Sequence, residues 1–314
     1  MKKSILRIIR YILLFFYFFF FIFEFYFEFE LFIFSIFFLN FFYLFFYYLN
    51  MSKYSSNEIL FFKQLLIDND IRIDGRDKME IRQYNITYNI IQTCLSSLKI
   101  TYNNSKNEII FAIKGEVIHL SDVNKENKLI HVAIDSMNKL NDENTKIKTQ
   151  LENLIQNLLI SQLEYNGLKI EKSKPEMIWK IYIDIFIFDE LKLSLFQLLA
   201  IGIKEALINI KLPKIITFYN DLTKNYEYDL KSNYEELTED ESQYQIKITI
   251  PNVYCFAILN NLLFLDPVDE ELCITNSIIF ISEINKEIIN IQSIGSSVDP
   301  LIYVDLVNII KTIK

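Results

Sequence analysis

The sequence is 314 residues long, 51% hydrophobic, and carries a formal charge of −8. Those figures average two unlike parts: residues 1–50 hold 18 of the 28 Phe and 6 of the 19 Tyr at a net charge of +1, whereas the remaining 264 residues set 28 Lys and Arg against 37 Asp and Glu. The acidic balance excludes a protein that grips nucleic acid by bulk positive charge. Only His119 and His131 are present, which excludes a His-rich metal centre, and five glycines (75, 115, 167, 202 and 295) leave no GxGxxG or P-loop. Cys94, Cys255 and Cys273 form neither a disulfide framework nor a Cys-x-x-Cys zinc site, and read as packed thiols of a reducing compartment.

Within residues 1–50, Leu31–Leu49 is uncharged and long enough to span a bilayer, and Arg7 and Arg10 ahead of Tyr11–Phe23 imitate a signal-peptide start. Against both readings stand the lack of Ala, Gly, Val and Thr, and the interruption by Glu24, Glu28 and Glu30, costly in lipid. No small-residue cleavage site follows. Every residue type present is written with codons rich in A and T, as translated non-coding DNA would be. The segment is therefore expected to be a gene-model artefact, with Met51 as the true start. The alternative is a genuine hydrophobic N-terminal extension that anchors the protein to a membrane. Residues 51–314 are read as the folded domain, in two halves of about 70–215 and 216–314.

Ser55-Ser-Asn-Glu58 is a capping box, and Ile59, Phe62, Leu65 and Leu66 recur at helical spacing, predicting a helix over 56–68. Asp74-Gly75 marks a turn. Ile81–Ile118 reads as an antiparallel meander with breaks at Ser96-Ser97 and at Asn103–Asn107, and the polar run 121–150 opens as an exposed loop. Leu151, Leu154, Ile155, Leu158 and Leu159 predict a helix over about 146–163, and Glu171–Pro175 a turn. Trp179, Ile181, Ile183, Ile185 and Ile187 alternate with Tyr182, Asp184, Phe186 and Phe188, predicting a central strand covered on both sides. A helix over Ser194–Asn209 follows, in which Gly202 permits close approach; Pro213 lies past its end and a strand begins near Ile215. Residues 220–243 read as an acidic loop or insertion. Strands are predicted at Tyr244–Ile250, Tyr254–Asn260, Ile278–Ile284 and Glu287–Ile294, the last two a hairpin around Asn285-Lys286. Asp299 as N-cap and Pro300 at the first helical position open a terminal helix. The fold class is α+β, with mixed and antiparallel sheets and packed helices.

Three stretches in this order carry a family resemblance. The first is Ile71-Arg-Ile-Asp-Gly-Arg-Asp-Lys-Met-Glu-Ile-Arg82, with Ser97-Leu-Lys-Ile and Ile113-Lys-Gly-Glu116 as looser matches. The second is Trp179-Lys-Ile-Tyr-Ile-Asp-Ile with Glu205-Ala-Leu-Ile-Asn-Ile-Lys-Leu-Pro213. The third is Leu265-Asp-Pro-Val-Asp-Glu-Glu271 with Ile294-Gly-Ser-Ser-Val-Asp-Pro300. Together they resemble the RNase PH-family ring subunits of the eukaryotic RNA exosome, most closely the 42-type, with the 43- and 45-types near. The signature residues are Arg72, Asp74, Gly75, Arg76, Arg82, Trp179, Asp184 and Pro213.

The resemblance implies an RNase PH-like (ribosomal protein S5 domain 2-like) fold. It also implies a place beside other RNase PH-like subunits in a six-membered ring, capped by S1/KH subunits, with RNA threaded through it in the nucleus, nucleolus and cytoplasm. Active members hold the attacking phosphate with an Arg, Ser and backbone N–H groups where a helix follows the central strand, and carry two Asp six residues apart. The corresponding places here read Leu193-Ser-Leu-Phe-Gln-Leu-Leu, without Arg or Gly pair, and Glu271 with Ser277. The resemblance therefore implies a noncatalytic subunit needing no cofactor or metal, with an active phosphorolytic exoribonuclease as the rival reading. Lys99 and Lys114 are candidate RNA contacts, against the plainer reading of exposed strand-end lysines. Arg72, Arg76 and Arg82 are candidates to touch RNA at a channel mouth, against the favoured reading that they pair with local carboxylates such as Asp74 and Glu80 or hold a subunit contact, and Asp184 is expected to be a buried carboxylate bonded to backbone. Trp179 is expected in the core and not as a base-stacking platform. Asp266, Asp269, Glu270 and Glu271 offer a divalent-ion site on paper but read as a solvated acidic turn.

Overall fold

A computed structural model describes residues 54–103, 106–122, 129–137, 142–163, 165–170, 176–231, 243–245 and 248–312. The expectations for residues 1–50, for the Glu171–Pro175 turn and for most of the acidic run after 231 fall outside them. The chain divides into two units, Met1–Glu58 and Ile59–Lys314. Helix α1 (Ser56–Ile67) opens on the capping box: the Ser55 amide donates to Glu58 Oε2 at 2.7 Å, and the Glu58 amide donates to Ser55 Oγ at 3.3 Å.

Among the described residues the larger unit has two main sheets and two two-stranded ones. The first has strand order β1-β2-β3-β5-β4, from β1 (Tyr84–Tyr88), β2 (Ser96–Tyr102), β3 (Asn107–His119), β4 (Ile130–Ser136) and β5 (Met177–Ile187). Its neighbours are antiparallel except β4 and β5, which run parallel through helix α2 (Asp142–Leu158). Helix α3 (Phe196–Ile208) then leads into the short β6 (Lys211–Pro213), the ribbon β7 (Ile215–Asn220) and β8 (Asn225–Leu230), and β9 (Gln243–Gln245), which pairs with β6. The second sheet is antiparallel, in the order β11-β10-β12-β13, from β10 (Asn252–Leu259), β11 (Leu262–Leu265), β12 (Ser277–Ile284) and β13 (Glu287–Gly295). A single-turn helix α4 (Asp269–Leu272) precedes β12, and α5 (Pro300–Thr312) closes the chain, with Asp299 Oδ1 accepting the Leu301 amide at 2.9 Å.

Alternation along the strands explains the layering. Ile109, Phe111 and Ile113 of β3, and Ile181, Ile183, Ile185 and Ile187 of β5, point to one face. There they meet Leu151, Ile155 and Leu158 of α2 and Leu198, Leu199, Ile203 and Ala206 of α3 in one core. From the second sheet Val253, Cys255 and Phe280 join that core, so α2 and α3 lie between the sheets. The opposite face of the second sheet, with Phe256, Ile258, Ile279 and Ile281, is covered by Ile302, Leu306 and Ile310 of α5. Each such side chain contributes about 1.5–3 kcal/mol when fully buried. Gly202 lets α3 press on β3: a Cβ there would lie 2.1 Å from Phe111 Cζ.

Four expectations need correction. Ser96-Ser97 is no break but the buried start of β2, because Ser97 Oγ accepts the Ile91 amide at 2.8 Å and donates to the Ile91 carbonyl. The polar run 121–150 contains strand β4, which among the described residues pairs with β5 alone, at the edge of the sheet. Residues 220–243 contain strand β8, the second arm of a hairpin. The central strand β5 is covered on one face only; Phe186 and Phe188 remain 38% and 43% exposed on the other, where they meet edge to face.

Candidate functional site

The residues that carry chemistry converge where the loop before β1 meets the turn after β11. The Arg72–Asp74–Gly75–Arg76 turn is tight: the Gly75 amide donates to the Arg72 carbonyl at 3.0 Å, and Gly75 takes a positive φ of 76°. Asp74 Oδ2 accepts Arg76 Nε at 2.6 Å and aims that guanidinium. Opposite, Asp266 also takes a positive φ, 51°, which Asp tolerates better than most side chains. Its amide is held by the Cys255 carbonyl at 2.9 Å, and its carboxylate turns inward.

Three guanidiniums then close on two carboxylates. Arg72 donates from Nε to Glu271 Oε1 at 2.8 Å and from Nη2 to Glu271 Oε2 at 2.7 Å, a bidentate fork. Its remaining protons reach the carbonyls of Asp77, Glu80, Leu265 and Asp266. Arg82 donates to Asp266 Oδ1 at 2.6 Å from Nη2 and to both Asp266 oxygens from Nε, and reaches the Ser194 and Pro267 carbonyls. Arg76 adds 3.2 Å to Asp266 Oδ2. The side chains of Asp266 and Glu271 are fully buried, and that of Arg72 is 1% exposed. Burial works against charge on Arg82, but the adjacent Asp266 outweighs it and raises the Arg82 pKa.

This arrangement corrects two sequence expectations. The arginines do not rest on Asp74 and Glu80 alone; Arg76 uses Asp74, Glu80 supplies only its carbonyl to Arg72 and Arg76, and the main partners are Asp266 and Glu271. Nor is the acidic turn solvated, since those two carboxylates are its most buried members. Among the described residues no group of three or more His, Cys, Asp or Glu is placed to hold a metal ion.

The entrance to α3 borders the clasp. Leu193–Leu195 form one 3-10 turn, with Ser194, Leu195, Phe196 and Gln197 all buried. Ser194 Oγ donates to Asp269 Oδ1 at 2.5 Å, and its carbonyl is taken by Arg82. Phe196 packs edge to face on Phe280 at 4.7 Å, and Gln197 bridges the Val253 carbonyl and the Cys255 amide. The start of α3 is thus filled by side chains. Beside it three carboxylates, Asp189, Glu190 and Asp269, surround the one ammonium of Lys192. Burial disfavours the Lys192 ammonium, yet those three carboxylates outweigh it and raise its pKa. Ser277 is 3% exposed in β12 and carries no carboxylate.

The remaining candidates lie apart from the clasp. Lys114 Nζ donates to Asp184 Oδ2 at 2.8 Å on the open face of the first sheet, so Asp184 is a half-exposed ion-pair partner and not a buried carboxylate bonded to backbone. The reason is the uncovered face of β5. Lys99 Nζ is paired with Glu108 Oε1 at 2.9 Å. Trp179 is 5% exposed in the core, and its Nε1 has no hydrogen-bond partner among the described residues. Pro213 ends β6, opposite Gln243 of β9. The sequence reading missed the tie from Ser194 to Asp269, which no local spacing announces.

No family model matches the sequence. The chain is similar to the exosome complex component RRP42 of Saccharomyces cerevisiae, with 25% identity over 240 residues, 76% of this chain and 84% of that protein. In structure it is similar to a chain of an archaeal exosome core (TM-score 0.57, 18% identity, 82% of this chain and 93% of the other). A chain of the Archaeoglobus fulgidus exosome with RNA bound to the active site is similar at a TM-score of 0.56 and 17% identity, over 82% of this chain and 94% of the other. The fold is α+β and RNase PH-like, and the resemblance carried by the three motifs is to exosome proteins of this kind.

Proposed function

We propose that this RNase PH-like chain is a noncatalytic ring subunit of the RNA exosome, supporting 3′–5′ processing and degradation of RNA, including rRNA maturation and mRNA decay. The likeness to RRP42 and to archaeal exosome cores supports the ring place. One observation carries the noncatalytic part: both oxygens of Glu271 are occupied by Arg72, and the partner position is Ser277. Phosphorolysis needs cations at the attacking phosphate and a carboxylate near the leaving oxygen. Here every arginine of the clasp is turned onto protein oxygens, and the α3 entrance is filled by Ser194, Leu195, Phe196 and Gln197. Phosphate at that entrance would meet three carboxylates, Asp189, Glu190 and Asp269, against the one ammonium of Lys192 that they already hold, a balance that repels it.

The exposed apolar side chains suit a protein buried among neighbours. Leu60, Phe61, Ile71, Leu301 and Val304 are 53–71% exposed and would be covered by neighbouring subunits in this reading. Partners in this reading are the other RNase PH-like subunits, S1/KH caps and threaded RNA, in nucleus, nucleolus and cytoplasm. Among the described residues no helix is long and apolar enough to cross a membrane. The test incubates the purified chain with a 3′-hydroxyl RNA and inorganic phosphate. No nucleoside diphosphate is expected beyond a no-protein control, and phosphate-dependent release would overturn the noncatalytic assignment.

A further inference from the structure

Strand β13 closes one side of the second sheet, and among the described residues no strand pairs with its outer edge. Edge strands are usually blunted by charges, prolines or bulges. This one is irregular only near its start, where its register with β12 shifts between Ser282 and Glu283. From Ile288 to Gly295 it carries no charged side chain and no proline. Beyond its end the Ser296 amide donates to the Asn276 carbonyl at 3.1 Å. Antiparallel bonding alternates, so Ile294, Gln292 and Asn290 also turn their backbone groups toward β12. Ile291, Ser293 and Gly295 turn theirs outward, in a repeat of about 6.8 Å that another extended backbone matches.

A groove of about 510 Å³ runs beside this edge. Thr145, Lys146, Thr149 and Asn153 of α2 line one wall, and Gln292 and Ile294 of β13 the other. Thr145 to Asn153 spans about 12 Å of helix, the length of roughly three or four extended residues. One helical turn further on, the Asn157 carbonyl accepts from Asn290 Nδ2 at 3.2 Å and ties helix to strand. Lys146 is the one charge in a lining that is otherwise hydroxyl, amide and aliphatic. On the other side of the sheet Ile291 and Ser293 stand opposite Ile281 and Ile279, and Ile289 and Ile291 are 41% and 38% exposed. A strand added to β13 therefore meets two unlike settings with alternate side chains: acidic or hydroxyl groups suit Lys146 and the amides, and aliphatic ones suit Ile291. A nucleic-acid strand is disfavoured, because a single lysine neutralises too few phosphates.

We propose that β13 is a strand-addition site for an extended segment of a partner protein, in which acidic or hydroxyl-bearing residues alternate with aliphatic ones. The ring reading surrounds the chain with folded neighbours and assigns no such strand. The test places a benzophenone photocrosslinker at Ser293 or, across the groove, at Thr149 of the full endogenous chain, irradiates the cells, and maps the crosslinked peptides by mass spectrometry. Both positions are expected to trap the same short segment of one protein, with the stated alternation. Ser293→Pro removes an outward amide at an edge position where proline fits. It is expected to lower the yield trapped from Thr149 by about tenfold, the worth of one hydrogen bond, whereas Ser293→Ala leaves it unchanged. Circular dichroism confirms that both variants fold. Hydrogen exchange on the unaltered chain decides independently of any variant: in the purified assembly the Ile291 and Ser293 amides are expected to exchange at least about tenfold more slowly than in an unstructured peptide. Exchange at the peptide rate, scattered crosslinks, crosslinks to RNA or to a second copy of this chain, or a folded Ser293→Pro protein that keeps its partner overturns the proposal. A trapped segment with no RNase PH-like chain alongside removes the ring reading and leaves the strand site. Ring chains that accompany a protein trapping nothing do the reverse.

Discussion

Replacing Glu271 by Gln keeps the shape of the buried clasp and removes one charge. The amide retains an acceptor for one Arg72 bond but turns an NH2 group toward the other guanidinium proton, where Glu271 Oε2 now accepts at 2.7 Å. Arg72 is left charged in a site that is 1% exposed. Breaking a buried pair from one side costs about 3–5 kcal/mol. The four backbone carbonyls that also hold Arg72 keep some of its hydrogen bonding, which places the expected loss near the lower end, about 3 kcal/mol. For a domain of this size that corresponds to a fall in Tm of roughly 6–12 °C. Trp179, the single tryptophan and a core residue, reports unfolding in urea. The double variant Arg72→Met with Glu271→Leu removes both charges but strands the Leu265 and Asp266 carbonyls and the Val268 amide. It is therefore expected to stay less stable than wild type, yet to fall short of the sum of the single losses by about 2 kcal/mol. A loss below about 1 kcal/mol for Glu271→Gln, or additivity within ~0.5 kcal/mol, would refute the clasp as a coupled unit.

Three further outcomes follow from the same geometry. Gly202→Ala drives a methyl group into the Phe111 ring and is expected to cost about 1–3 kcal/mol in urea unfolding; an unchanged midpoint would mean that α3 does not press on β3 as described. The Cys273 thiol is pushed up to about 11 by burial and by Glu270 and Asp269. Its alkylation by iodoacetamide, followed by peptide mass spectrometry, should therefore climb about tenfold per pH unit from 8 to 10, and a plateau near 9 would contradict it. Lys286 sits at φ 68° in the β12–β13 turn, so Lys286→Gly relieves left-handed strain of about 1–2 kcal/mol while losing the Nζ bond to the Lys311 carbonyl; a higher or equal Tm is expected, and a fall of several degrees would contradict it.

Local chemistry was legible in the sequence wherever partners lie within one turn. The Ser55–Glu58 box, Asp299 at the start of α5 and the Asn285-Lys286 hairpin all form as their spacing predicts. So does the inward row of β5, because five apolar residues alternate there without interruption. Strand β4 escaped notice although Ile130, Val132 and Ile134 alternate as strand residues do, because the polar residues around so short an alternation read as loop. The exposure of Phe186 and Phe188 escaped because hydrophobicity records what a residue tolerates and not whether a second layer covers it. The clasp escaped for a different reason. Arg72 and Glu271 stand 199 residues apart, and Arg82 and Asp266 stand 184 apart, so each arginine was matched to the nearest carboxylate in sequence.

The central claim, a subunit of an exosome ring, is tested most directly by tagging the endogenous chain after Lys314 and identifying what accompanies it by mass spectrometry. The account predicts other RNase PH-like chains and S1/KH caps in stoichiometric amounts. Recovery of the chain alone, or with membrane proteins only, would contradict it.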